Sequence, residues 1–372
     1  MIIAGEASGD MHGANLVHAM HAIDPDLLFY GIGGTKMRIA GVKLAADAAD
    51  MAVVGLTEAI AKIGTFLRVM RRLKVSLKDD SPDLLILIDY PDFNLPMAKA
   101  AYKLGIKVLY YISPQVWAWR KARINVIRKC VDQMVVILPF EEEFYRQVGV
   151  DAAFVGHPLL DVVKTEHGRH EEMNRLGFKE DAVTVALLPG SRKNEVSRLL
   201  PEMLAACEIL NKMISPVQFL LPLASTVSLS FIKDLLVRSL VPVKIVQDDI
   251  YDAIAASDAA IVASGTATLE TALLGTPMVV VYRISGISFA VGKRFINVDY
   301  ISLANLIAQK RIVPELIQGE ANSQRIAAET RELIVNKKKA DEMRLSFSEI
   351  REKLGHPGAS QRAAKIAWKM LS

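Results

Sequence analysis

The chain is predicted to fold as α/β, with two doubly wound domains, and three observations predict it. Short apolar, β-rich runs alternate with helical patterns, which is the signature of parallel sheets covered by helices on both faces. The runs fall into two sets around one polar, charged gap at 164–175. At 372 residues the chain is long for one core and sufficient for two.

The elements follow in order. Met1–Ala4 is the first strand, short against the usual length of about 5–6 residues, as if clipped at its start. It runs into Gly5-Glu6-Ala7-Ser8-Gly9-Asp10 and then an amphipathic helix. Sites in parallel α/β proteins form where strands end and helices begin. Glu6 and Asp10 are acids where a phosphate loop would want none, so this turn suits hydroxyl groups. Leu27–Tyr30, Leu84–Ile88, Val108–Ile112, Met134–Leu138 and Ala153–Val155 complete the first set of strands. Val183–Leu188, Gln218–Leu221, Val243–Val246, Ala259–Val262 and Met278–Val281 form the second. The boundary falls near Asp161–Glu166. From Asn322 onward the pattern is helical and charged, broken once at Gly355-His356-Pro357-Gly358. The final helix, Ala359–Leu371, carries an apolar stripe of Ala363, Ile366, Ala367, Met370 and Leu371. It docks on the first domain or on a partner chain, so a homodimer stays open.

Composition excludes several classes. Net charge is +4, a basic excess too weak to indicate nucleic acid. The two cysteines, Cys130 and Cys207, are far apart and read as reduced, buried thiols. No apolar run is long enough to span a bilayer, and no basic region precedes the first apolar residues.

Two loops suit a nucleotide diphosphate. Leu187-Leu188-Pro189-Gly190-Ser191-Arg192 ends a strand and opens a helix, offering free N–H groups, a positive helix end and a fixed cation. Ala263-Ser264-Gly265-Thr266-Ala267-Thr268-Leu269-Glu270 repeats the pattern, with Glu270 one turn after Thr266 and able to accept from a ribose diol. Taken singly, each is also an ordinary turn or a first-turn acid. No Asp-x-Asp motif lies near either loop to hold a metal, so arginine and helix ends must neutralise the phosphates.

In the first domain, Asp89 falls at the carboxyl end of the apolar run Leu84–Ile88. Burial there would raise its pKa and suit it as a base, or the loop backbone satisfies it. The aromatic stretch 111–120 reads equally as a binding surface or as buried packing. His157, in Phe154-Val155-Gly156-His157-Pro158, is a substrate ligand or a packed hinge histidine. Between Glu58 and Asp79 stand Lys62, Arg68, Arg71, Arg72, Lys74 and Lys78, with no acid. Ile60, Ile63, Phe66, Leu67, Met70 and Leu73 recur at helical spacing. Such a helix lies on an anionic membrane or covers a core with a solvated basic face.

Taken together the motifs resemble the lipid-A-disaccharide synthase family. The matching pieces are 4–10, Ile-Asp-Tyr-Pro-Asp-Phe-Asn at 88–94, 111–120, Leu-Pro-Phe-Glu at 138–141, Gly-His-Pro at 156–158, 187–192 and 263–270. Tyr282-Arg283, 299–306 and Pro314-Glu315-Leu316-Ile317-Gln318 follow. The order is collinear over nearly the whole chain. Two departures are the short start and the Tyr of Ile-Asp-Tyr-Pro.

The resemblance implies a GT-B fold: an acceptor-binding domain at 1–163, a UDP-sugar-binding domain at 164–342, and helices from about 343 to 372 crossing back to the first. It implies a metal-independent, inverting hexosyltransferase without cofactor. The reaction would join UDP-2,3-diacylglucosamine to 2,3-diacylglucosamine 1-phosphate through a β-1,6 bond, releasing UDP. The enzyme would be cytoplasmic and peripheral on the inner membrane, its contact made by Ile60, Ile63, Phe66, Leu67, Arg68, Met70 and Arg71. Asp89 matches the base; Glu6 and Ser8, with Asp10 and His157, fall on the acceptor side. Gly190, Ser191, Arg192, Ser264, Gly265, Thr266, Thr268, Glu270, Asn305 and Gln318 fall on the nucleotide side. A UDP-sugar 2-epimerase of the same architecture, or a non-enzymatic nucleotide-binding peripheral membrane protein, is the alternative.

Overall fold

A computed structural model describes residues 1–48, 56–117, 121–284 and 299–371. The chain forms two compact units, Met1–Asp161 with Leu354–Ser372, and Val162–Lys353.

The first unit is built on β1 (Ile2–Ala4), β2 (Tyr30–Gly33), β3 (Lys43–Asp47), β4 (Leu84–Ile88), β5 (Lys107–Tyr111), β6 (Gln133–Val136) and β7 (Ala152–Phe154). Their order is β3-β2-β1-β4-β5-β6-β7, every pair parallel. All five residues of β4, Leu-Leu-Ile-Leu-Ile, are buried, as a strand covered on both faces requires. The second unit holds β8 (Val183–Leu188), β9 (Val217–Pro222), β10 (Val243–Val246), β11 (Ala259–Ala263), β12 (Met278–Tyr282) and β13 (Glu315–Ile317). Their order is β10-β9-β8-β11-β12-β13, again all parallel. Each sheet therefore has one switch point, where the winding reverses: β1/β4 in the first unit and β8/β11 in the second.

Three strands differ from expectation. β2 starts at Tyr30, three residues later than the apolar run, whose Leu28 is 91% exposed. Its Gly31-Ile32-Gly33 reads as a turn, yet a Cβ on Gly31 would stand 1.8 Å from the Ile2 carbonyl oxygen. Only glycine lets β2 pass so close to β1 there. β3 is an alanine-rich edge strand with little apolar signal, and β13 spans three residues, too few for periodicity to register.

The C-terminal helices divide differently from the expected 343 boundary. Helix Lys337–Lys353 stays with the second unit, burying Ala340, Met343, Phe347 and Ile350 against helices Thr266–Leu273 and Leu303–Ala308. The chain returns to the first unit at Leu354–Gly358. Helix Ala359–Leu371 then lies on helix Ala7–His21. Its contact stripe is Ala359, Ala363, Ala364 and Ala367, while Ile366, Met370 and Leu371 are only half-buried. Gly358 donates to Asp161 Oδ1 at 2.7 Å and Arg362 Nε to the Val155 carbonyl at 2.8 Å, fastening the return.

Candidate active site

At the first switch point β1 pairs with β4, so the loops after Ala4 and Ile88 are neighbours. The Tyr90 ring lies over Gly5, where an added Cβ would stand 2.2 Å from the ring. This contact joins the first signature motif to the second, and it accounts for glycine at position 5. Tyr90 stacks on Phe93 at 5.8 Å, and Phe66 meets both rings edge-on. Asp89 is mostly buried beside this aromatic group. Burial, and secondarily the charge of Glu6, push its carboxyl up to about 6, while a backbone hydrogen bond at Tyr90 works the other way. A carboxylate tuned in this way is a competent base near neutral pH.

The other first-unit candidates separate. Glu6 and Ser8 are exposed at the start of helix Ala7–His21. Asp10 is not: at 7% exposure its carboxylate accepts from the N–H groups of Gly34 (2.7 Å), Lys36 (3.0 Å) and Met37 (2.9 Å). It caps helix Thr35–Ile39 with three of the roughly four acceptor sites a carboxylate has. His157 fits the packed reading. It is buried, its Nδ1 accepts from Leu159 N–H at 3.2 Å, and its backbone N–H donates to the Leu354 carbonyl at 3.0 Å. Burial, then the neighbouring His12, depress its pKa to about 3, so it stays neutral.

Sequence reasoning missed His12, a second buried histidine held down to about 4. It also missed Glu141, 2% exposed and pushed up to about 7 by burial. Glu141 accepts from the Trp117 indole N–H at 3.1 Å and from Leu138 N–H at 3.2 Å. The signal was the pairing of the 111–120 and 138–141 motifs, which one carboxylate ties together. Residues 118–120 of that motif lie outside the described residues.

At the second switch point β8 and β11 are paired, Leu188 beside Val262, so the loops after them are adjacent as well. Gly190 adopts φ +110°, and a Cβ there would stand 2.0 Å from Glu195 Oε2. Ser191 donates its N–H to that oxygen at 3.3 Å. Arg192 is exposed immediately before helix Lys193–Met213. Across the pair, Gly265 precedes helix Thr266–Leu273 and Thr266 is exposed. Glu270, half-buried and raised by burial, accepts from Tyr251 OH at 3.1 Å. Two helix starts, one arginine and one held carboxylate thus share one edge of this sheet.

Four nucleotide-side candidates have other partners. Thr268 is fully buried and donates its hydroxyl to the Gly265 carbonyl at 2.8 Å. Asn305 is fully buried: its Oδ1 accepts from Ile312 (2.8 Å) and Val313 (3.0 Å), and its Nδ2 donates to the Val313 carbonyl (3.0 Å) and Glu315 Oε1 (2.8 Å). With all its hydrogen-bonding capacity used, Asn305 is a structural node and is withdrawn as a ligand. Ser302 belongs to the same node through Glu315 at 2.7 Å, and Ser264 donates to the next carbonyl, Ile301, at 2.9 Å. The node therefore buttresses the loop that carries Gly265. Gln318 pairs its amide with the Ile284 backbone, at 2.8 and 3.2 Å.

The basic helix spans Leu56–Asp79. The side chains of Ile60 and Ile63 lie outside the described residues. Met70, at 8% exposure, packs in the core with Leu73 and Leu77 and is withdrawn from the membrane face. Phe66 is half-buried on Tyr90 and Phe93, whereas Leu67 is 56% exposed with Arg68 and Arg71 also outward. Among the described residues no helix is long and apolar enough to cross a membrane. Nor, among them, do three His, Cys, Asp or Glu side chains gather to hold a metal.

Solved structures align over the whole chain. An S. aureus MnaA–UDP co-structure matches with a TM-score of 0.62 at 12% identity, covering 100% of this chain and 96% of that one. The calicheamicin glycosyltransferase CalG4 matches at 0.60 and 13%, covering 100% and 96%. The two parallel sheets and their paired loops thus define a GT-B-type α/β protein of the glycosyltransferase and epimerase class. A family model described as lipid-A-disaccharide synthetase matches residues 1–370. The lipid-A-disaccharide synthase of Syntrophus aciditrophicus is 56% identical over 372 residues, covering 100% of this chain and 97% of that protein. Its counterpart in Geobacter sulfurreducens is 47% identical over 371 residues, with the same coverage. The chain belongs to the lipid-A-disaccharide synthetase family. It is a glycosyltransferase of lipid A biosynthesis, and the epimerase alternative is not favoured, since that likeness is one of fold alone.

Proposed function

We propose that the enzyme moves a 2,3-diacylglucosaminyl group from its UDP ester to the 6-hydroxyl of 2,3-diacylglucosamine 1-phosphate, with inversion. The observation that carries this reading is Asp89: a mostly buried carboxylate at a sheet switch point, raised to about 6, near Glu6. Asp89 takes the proton of the 6-hydroxyl as the oxygen bonds to the anomeric carbon. The bond from that carbon to the diphosphate breaks on the opposite face, and UDP departs with the electron pair. UDP needs no protonating acid if its charge is met by Arg192 and the N-termini of helices Lys193–Met213 and Thr266–Leu273, without a metal. Glu270, steadied by Tyr251, accepts from the ribose hydroxyls. Thr268, Asn305 and Gln318 act behind the site, not on the nucleotide.

The acyl chains of both substrates call for a membrane surface, and the exposed Leu67, Arg68 and Arg71 suit an anionic one. The protein then works at the cytoplasmic face of the inner membrane. Replacing Leu67 and Ile63 by serine should weaken sedimentation with anionic liposomes; unchanged binding would remove this surface from the reading. The decisive assay measures UDP release from the acylated donor with and without the acylated acceptor. Release that depends on acceptor, with a β-linked product by NMR, is expected. Equal release without acceptor, or epimerisation of UDP-N-acetylglucosamine alone, would defeat it.

A further inference from the structure

Three non-glycine residues with left-handed backbone meet just past the ends of β4 and β5: Asp89 (φ 43°), Tyr90 (φ 47°) and Ile112 (φ 63°). For a β-branched residue such as Ile112 that conformation is a true outlier. The regular pairing of β4 with β5 ends at Ile88 beside Tyr111, so Asp89 is the first residue past the ladder. Its backbone is pinned on both sides. The Asp89 N–H donates to the carbonyls of Ile112 (3.2 Å) and Tyr111 (3.3 Å). The Asp89 carbonyl accepts from Tyr110 OH at 2.5 Å and from Asn94 Nδ2 at 2.6 Å. Asn94 Nδ2 also reaches the Ile88 carbonyl at 3.1 Å. Tyr110 and Asn94 are both fully buried.

We propose that Tyr110 and Asn94 are positioning residues for the transfer reaction: by gripping the Asp89 carbonyl they hold residues 89 and 90 left-handed and so set where the Asp89 carboxyl stands. Costly backbone of this kind persists only where the surroundings over-determine it. Here two buried polar side chains, one from the neighbouring strand and one from the helix that follows, converge on a single carbonyl. An ordinary strand-to-helix turn would connect β4 to helix Pro91–Leu104 without either. The geometry serves the side chain of residue 89, because its backbone is the only part the two groups hold in common. The proposal rests on Asp89 being the base.

The test uses the full-length enzyme and the variants Tyr110→Phe, Asn94→Ser and Asp89→Asn. Turnover, donor KM, the pH profile of kcat/KM and thermal unfolding are measured for each. Tyr110→Phe should lower kcat roughly 10-fold or more and leave donor KM nearly unchanged. Its acid limb should move to lower pH, because a relaxed Asp89 turns toward solvent and away from Glu6. A purely structural loss would reduce the amount of active enzyme without moving that limb. If Tyr110→Phe does not fold, Asn94→Ser, which leaves the tyrosine bond in place, carries the same comparison. A folded variant with wild-type kcat and an unmoved limb, alongside an inactive Asp89→Asn, overturns the positioning role and leaves the base assignment standing. Full turnover in Asp89→Asn overturns the base assignment and the positioning role with it.

Discussion

The two switch points share one topology and solve opposite problems. In each unit the first and fourth strands in the winding pair side by side, and the candidate loops follow them. At β8/β11 the positive φ falls on Gly190, which adopts it freely and leaves no room for a side chain. At β1/β4 it falls on Asp89 and Tyr90, where left-handed backbone costs about 1–3 kcal/mol per residue. The charged groups differ in the same sense. Arg192 is exposed, whereas Asp89 is mostly buried and its pKa is raised. If the β8/β11 loops grip the diphosphate as proposed, they can rely on backbone N–H groups and an unstrained glycine. If Asp89 is the base as proposed, the β1/β4 loop has to fix one carboxyl, and it spends conformational energy to do so.

The comparison makes predictions of different size. The largest concerns Asp89→Asn: turnover should fall roughly 10²-fold or more while UDP affinity by calorimetry stays intact, because the binding loops are in the other unit. Loss of UDP affinity would mean that the two sites are not separable in this way. Next is Asn305→Ala. Removing four buried hydrogen bonds should cost roughly 3 kcal/mol of unfolding free energy in urea, read from a shifted midpoint. If stability is unchanged and only donor affinity drops, Asn305 returns to the nucleotide set. Smaller again is Gly190→Ala. It should weaken UDP about 10-fold by displacing Glu195 and the Ser191 N–H, with kcat at saturating donor nearly unchanged. The same substitution would be harmless if this loop did not approach the nucleotide.

Much of this was legible in sequence, for reasons that differ by residue. The strand β4 and the helix Ala359–Leu371 were read with their full bounds, since one is a continuous apolar run and the other has breakers on its N-terminal side. The loops at 187–192 and 263–270 were placed at helix starts because glycine and hydroxyl residues after a strand mark one. β3 escaped because Lys-Leu-Ala-Ala-Asp carries little apolar signal, and β13 because three residues are too few for a period. The site candidates found bonded to the chain's own groups, Asp10, Thr268, Asn305 and Gln318, share one cause. A polar side chain in a signature motif can face a ligand or the backbone, and spacing does not distinguish the two. Asp10 is spent on residues 24 to 27 positions away, and Asn305 on a turn 7 to 10 positions further on. The same limit hid His12 and Glu141, whose burial comes from elements distant in sequence.

The smallest predicted effect isolates the electrostatic part of the contrast. As a base Asp89 must be deprotonated, so kcat/KM should rise with pH through an apparent pKa of about 6. Burial is the main cause of that value and the charge of Glu6 the second. Glu6→Gln removes a negative charge and leaves the burial, so the carboxylate form of Asp89 becomes easier to reach. Its pKa falls, and the acid limb moves to lower pH by a fraction of a unit, since Glu6 is exposed and its field is partly screened. Salt should shrink the difference between wild type and variant, because screening weakens the one term that separates them. A limb that stays in place at low ionic strength would assign the raised pKa to burial alone. A limb that moves upward would contradict a repulsive role for Glu6 at Asp89.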